Sequence, residues 1–128
     1  MLVTGAADGI GRAIATRFAQ LGDRVGLIDY VADKLERTTS ELREAGGQVL
    51  GLHADVRDSA QVDAAVAGAV SEYDGLDIAV NNAAVYPNTP VLQMDEDEWD
   101  RVLDTNLKGA FLFARAAARQ LVRQGRGG

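Results

Sequence analysis

"TGAADGIG" (residues 4–11) stands between a short apolar stretch, "MLV" (1–3), and "RAIATRFAQL" (12–21), whose Ile14, Phe18 and Leu21 recur at helical spacing. Gly5, Gly9 and Gly11 therefore fall where a strand turns into a helix. A ligand can approach the backbone there without meeting a Cβ, and the helix N-terminus offers free N–H groups to a pyrophosphate. The same glycines would also serve a tight strand-to-helix turn. The next strand separates the two readings. "RVGLID" (24–29) ends in Asp29, eighteen positions after Gly11, close to the ~20 expected of an acid that accepts hydrogen bonds from an adenosine ribose. A carboxylate at that place repels a 2′-phosphate, and Asp8 inside the loop offers no positive charge for one. Both point to NAD, with NADP the lesser expectation.

Outward from this unit the pattern repeats. Gly22 stops the first helix, and "ADKLERTTSELREAGG" (32–47) reads as an amphipathic helix closed by two glycines. "QVLGLHADV" (48–56) is a third strand, and Ser59 caps a helix through "AQVDAAVAGAVSEY" (60–73). "LDIAV" (76–80) is a fourth strand that runs into the loop "NNAAVYPNTP" (81–90). Asp95 opens a final helical region to Gln124, with Gly109 inside it and Gly125 beyond it; "GRGG" (125–128) reads as a turn or chain end. Four strand–helix alternations at crossover length predict an α/β fold: a doubly wound parallel sheet of about four strands with helices on both faces, in one domain over 1–128.

Composition narrows the function. At 128 residues the chain can bury roughly two-thirds of its unfolded surface. Its 47% apolar and 25% charged content is that of a globular protein. A net charge of −6 argues against a nucleic-acid surface. Zero cysteines exclude thiolate metal sites, one histidine excludes a histidine-rich one, and no metal is expected. With no signal sequence and no run of ~18 apolar residues, no membrane partner is expected and the default location is cytoplasmic.

"YVADK" (30–34) has a tyrosine followed by a lysine four positions later, a spacing that can mark an acid/base pair. It directly follows Asp29, so it is expected at the adenine end of the nucleotide, well over ~10 Å from the reactive ring on the scale of strand spacings. It is a decoy.

At this point the chain resembles the short-chain dehydrogenase/reductase family. "TGAADGIG" is similar to that family's TGxxxGxG loop. "ADV" (54–56) resembles its adenine-contacting segment, which puts the Asp55 carboxylate toward the adenine amino group. "NNAA" (81–84) resembles its NNAG segment, with Ala84 in place of the usual glycine. Asn106 in "TNLKGAF" (105–111) matches the helix asparagine that kinks its helix and holds a water in the proton relay. The resemblance implies a Rossmann-like half-domain whose cofactor-binding residues are Gly5, Asp8, Gly9, Ile10, Gly11, Asp29, Tyr30, Asp55, Val56, Asn82 and Ala83, with Asn106 on the catalytic side. It implies hydride transfer between a nicotinamide and a small-molecule secondary alcohol or ketone. It also implies a homo-oligomer paired through the last helix.

The family's serine, tyrosine and lysine are not assignable here and would follow Gly128. Tyr73 has Asp77 four positions on, and Tyr86 has Pro90. The expectation is thus the N-terminal half of a longer enzyme, inactive by itself. A nucleotide-binding module without catalysis is the alternative, and two half-chains docked through sheet edges a third. Plainer roles are expected elsewhere: a surface or packing role for His53, a helix N-terminus for "DEDE" (95–98), and core and subunit contacts for Phe111, Leu112 and Phe113.

Overall fold

Leu2 and Val3 are neighbours in β1 (Leu2–Thr4) and both are wholly buried, because successive side chains of a strand point to opposite faces of the sheet. The computed structural model describes residues 1–126 and 128, and in it those two faces carry two separate cores. On one side Leu2 and Ile28 of β2 (Val25–Asp29) pack against α3 (Ser59–Tyr73) and α5 (Ala110–Gln124) through Val62, Val66, Ala69, Phe113 and Ala117. On the other, Val3, Val25 and Leu27 pack against α1 (Gly9–Gln20) and α2 (Ala32–Glu44) through Ala15, Ala19, Leu35 and Leu42. Phe113 is the largest fully buried side chain, and burying such a residue is worth about 1.5–3 kcal/mol.

β3 (Val49–His53) and β4 (Ala79–Val80) complete a four-stranded sheet in the order β3-β2-β1-β4, with every pairing parallel. The expected doubly wound sheet is present. The chain moves outward from β1 to β3 and then returns to β1's other side with β4. That reversal leaves a crevice at the carboxyl ends of β1 and β4, the place where open α/β sheets bind ligands. No helix among the described residues is long and apolar enough to cross a membrane.

Three local expectations change. The fourth strand is not 76–80 but Ala79–Val80, since β4 has only β1 as its partner and β1 offers it just Leu2 and Val3. Leu76 is buried ahead of it, and the Ile78 carbonyl still accepts from the Leu2 N–H at 2.8 Å. The cap of α3 is Asp58 rather than Ser59: its carboxylate accepts from the Ala60 and Gln61 N–H groups at 2.8 and 3.2 Å, and a negative charge also suits the helix dipole. Ser59 Oγ instead accepts from Arg115 Nη2 on α5. The last helical region is two α-helices, α4 (Glu96–Leu103) and α5, joined by a π-helical turn at Asp104–Gly109. Asp95 caps α4 as expected, and α5 ends at Gly125 in the left-handed region. Of the expected terminal turn, Gly127 lies outside the described residues.

Candidate functional site

Thr4 closes β1 with its side chain fully buried, and its hydroxyl is the hub of the crevice. Oγ1 accepts from the Asn82 and Ala83 N–H groups at 3.0 and 3.1 Å, which ties the segment after β4 to the end of β1. Asn82 returns the contact, donating from Nδ2 to the carbonyls of Thr4 (2.9 Å) and Gly5 (3.2 Å). Asn81 reaches the other way and donates to the Ala110 carbonyl of α5 at 2.8 Å. Both asparagines are thus structural clamps on the crevice; Thr4 and Asn81 belong to the "TGAADGIG" and "NNAA" stretches, but neither was expected as a site residue.

The three loop glycines have different jobs. Gly5, at φ +63°, is held so close to the β4 loop that a Cβ would lie 2.9 Å from Ala83 Cα. A Cβ on Gly11 would meet the Gly5 carbonyl oxygen at 2.1 Å and Asn82 Nδ2 at 2.5 Å, so this glycine lets the helix start pack on the loop. Gly9, at φ +54°, has nothing within 4 Å of its Cβ position and faces open space. Its own N–H is capped by Asp8 Oδ1 at 2.8 Å, and Ile10 beyond it is 74% exposed. The Arg12 N–H bonds the Asp8 carbonyl at 3.1 Å, while the Ile10 and Gly11 N–H groups have no carbonyl four residues back within the helix. This is the form of cradle a pyrophosphate requires.

At the end of β2 the Asp29 carboxylate is held by two backbone donors, Ala7 N–H to Oδ2 and Val31 N–H to Oδ1, both at 3.0 Å. It therefore couples the glycine loop to the start of α2 and keeps lone pairs for a diol. Thr38 Oγ1 on α2 fastens the same loop by donating to the Ala7 carbonyl at 2.9 Å. Lys34 does not serve Tyr30: its Nζ lies 3.0 Å from Asp8 Oδ2, across the loop. The Lys34 hydrogen bond, followed by that of the Gly9 N–H, lowers the Asp8 pKa below its ordinary value. Tyr30 is 62% exposed, and His53 Nε2 lies 3.0 Å from its carbonyl oxygen, a surface role for the single histidine.

After β3, Asp55 is gripped by Arg57. Nε lies 3.0 and 2.9 Å from the two carboxylate oxygens and Nη2 lies 2.5 Å from Oδ2. The Arg57 side chain is the main reason the Asp55 carboxyl sits below its usual range, and the guanidinium is raised in turn. Val56 presses on the π-helical turn: a Cβ on Gly109 would lie 2.8 Å from Val56 Cγ2. Asn106, in the middle of that turn, is directed at the loop after β4. Its Nδ2 donates to the Val85 carbonyl and its Oδ1 accepts from the Val85 N–H, each at 2.8 Å.

These elements enclose a cavity of about 710 Å³, within the ~300–1,000 Å³ of small-molecule and cofactor sites. It is lined by Gly5, Asp8, Gly9, Ile10, Asp29, Tyr30, Asp55, Val56, Asn82 and Ala83, all expected from the sequence. Gly11 and Asn106 stand behind the lining and position it. Lys34, Arg57, Val85, Tyr86, Arg101 and Thr105 also line the cavity. Arg101 and Thr105 come from α4 and the π-helical turn, some fifty positions beyond Asp55, and no local pattern announces them. The residues fit a dinucleotide: an open glycine at a helix start, a backbone-held carboxylate one strand away, and a continuous cavity joining them.

The sequence matches the short chain dehydrogenase family over residues 1–128. It is 39% identical over 125 residues to a 3-oxoacyl-[acyl-carrier-protein] reductase, FabG, of Staphylococcus aureus, covering 96% of this chain and 50% of that one. It is 37% identical over 127 residues to a galactitol 2-dehydrogenase of Agrobacterium fabrum, covering 99% and 48%. Among solved structures, a short-chain dehydrogenase/reductase from Mycobacterium marinum superposes with a TM-score of 0.94 at 38% identity, covering 99% of this chain and 51% of that one. The chain spans about half the length of these relatives.

Proposed function

This chain belongs to the short-chain dehydrogenase family, and from that premise we propose that it is the nucleotide-binding part of an NAD-dependent oxidoreductase acting on a secondary alcohol or ketone. The observation that carries the reading is Asp29. Its carboxylate is fixed by the Ala7 and Val31 N–H groups at 3.0 Å and lines the cavity beside the open Gly9. The ribose hydroxyls of NAD would donate to Asp29, the pyrophosphate would lie over Gly9 and the start of α1, and the adenine would lie by Asp55 and Val56. When bound, the nicotinamide supplies the hydride acceptor or donor. The chain's residues hold it: Thr4 and Asn82 brace the loops, and Asn106 pins Val85 at the edge of the cavity.

The names of the relatives, a 3-oxoacyl reductase and a galactitol 2-dehydrogenase, share interconversion of a carbonyl and an alcohol, which supports that reaction class over a narrower substrate. Phe111 and Val122 on α5, 58% and 81% exposed, support the pairing of subunits along that helix. The test is calorimetric titration of the natively produced protein with NAD. We expect saturable binding that weakens by about tenfold or more in Asp29→Ala, a loss of the order of 1.4 kcal/mol. Absence of NAD binding in the unaltered protein would overturn the reading.

A further inference from the structure

The cationic side chains that line the cavity are Lys34, Arg57 and Arg101. Two of them are engaged, Lys34 with Asp8 at 3.0 Å and Arg57 with Asp55 at 2.5 Å. Among the described residues, the Arg101 guanidinium has no hydrogen-bond or ion-pair partner. Carboxylates nevertheless stand within about one turn of it on both sides. Asp104, three residues on, is taken by Lys108 at 3.3 Å, and Glu98, three residues back, accepts from Thr89 Oγ1 at 3.0 Å. Asp97, four residues back, has the spacing of a helical ion pair, and Arg101 faces the cavity instead. Resting on the reading above, we propose that Arg101 is a positioning residue for the nucleotide's base, its free guanidinium stacking on the adenine from the α4 side of the cavity.

Packing puts Arg101 at that end of the site. The π-helical turn that follows α4 rests on Val56, as the 2.8 Å approach of a Gly109 Cβ to Val56 Cγ2 shows. Thr105 Oγ1 ties the same turn back to the Arg101 carbonyl at 2.8 Å. The Asp104 carboxylate is also near enough to help hold the Arg57 guanidinium charged. The wall that carries Arg101 therefore adjoins Val56 and Arg57, where the adenine would lie. The chemistry there favours a base over a phosphate. Adenine is uncharged near neutral pH, so it offers a cation no ion pair, only its π face. A guanidinium suits that face, being planar and more weakly hydrated than an ammonium. Arg101 is exposed, so the contact belongs to the weaker, solvated class, about three- to fivefold in affinity.

The experiment separates base from phosphates in the natively produced protein, by calorimetric titration with ADP and by displacement of bound ADP with adenosine. Arg101→Ala removes the guanidinium, Arg101→Lys keeps its charge without its plane, and unfolding midpoints verify that each variant is folded. In Arg101→Ala both ligands are expected to bind about three- to fivefold more weakly, by the same factor, because the base is what they share. Arg101→Lys should show most of that loss. Unchanged affinities in Arg101→Ala would overturn the proposal. So would a loss confined to ADP or recovered by lysine, either of which would mean that Arg101 serves phosphate charge. Adenosine that fails to displace ADP from the unaltered protein would overturn it too, while ADP binding left the nucleotide-site reading standing. Failure of the unaltered protein to bind ADP at all would overturn both.

Discussion

Thr4 shows how one buried hydroxyl organises a site. It accepts from two N–H groups of the β4 loop, at 3.0 and 3.1 Å, inside a wall of apolar neighbours. Thr4→Val keeps the shape and removes the acceptor, stranding two part-buried donors at up to about 1–3 kcal/mol each when unpaired. Chemical denaturation should show a loss of about 2 kcal/mol or more, whereas Thr4→Ser, which keeps the oxygen, should recover most of it. Equal loss in both variants would mean that packing, not hydrogen bonding, is what Thr4 contributes. Asp29 was readable in the sequence because a strand-end acid at this distance from a glycine loop has few other uses. Lys34 was readable only as half of "YVADK"; its attachment to Asp8 depends on how α2 lies against the loop, which no local pattern specifies.

Among the elements, the π-helical turn at Asp104–Gly109 is the most consequential departure from regular structure. An asparagine inside a helix is unfavourable by propensity, since its amide competes for backbone partners. Here the widened turn aims that amide at Val85, where it completes two hydrogen bonds of 2.8 Å to the backbone N–H and carbonyl. Asn106→Ala should lower stability by about 1–2 kcal/mol, from two bonds at roughly 0.5–1.5 kcal/mol each. It should also speed hydrogen exchange at the Val85 amide; unaltered exchange there would show that the loop is held by something other than Asn106. The irregularity was legible as a kink at Asn106, but its partner twenty-one residues earlier was not. The shortened β4 and the shift of the α3 cap to Asp58 have the same origin: pairing and capping answer to neighbours, and propensity ranks residues without them.

For the whole molecule, electrostatics and topology act together. Asp55 and Asp58 have pKa values below the ordinary 3.8, Asp55 chiefly through Arg57 and Asp58 chiefly through the Gln61 and Ala60 N–H groups. A folded-state value below the unfolded one means that the folded protein binds fewer protons in that range. The stabilisation they provide is complete above the unfolded value and is lost as pH falls through the depressed one. Unfolding midpoints measured from about pH 5 to about pH 2 should fall, and the fall should be shallower in Asp58→Asn, which no longer titrates at the α3 cap. A slope identical to the unaltered protein would remove Asp58 from the account. The sequence by itself determined the order of strands and helices, the expectation of helices on both faces of the sheet and the glycine–acid spacing, because apolar period and backbone permissiveness are properties of short stretches. The tertiary structure alone decided that β4 returns beside β1, that Thr4, Asn82 and Asn106 brace one cavity, and that Lys34, Arg57, Arg101 and Thr105 reach its wall. Those residues are brought together by the packing of elements on a twisted sheet, and distances across that sheet are not written in any local window of the chain.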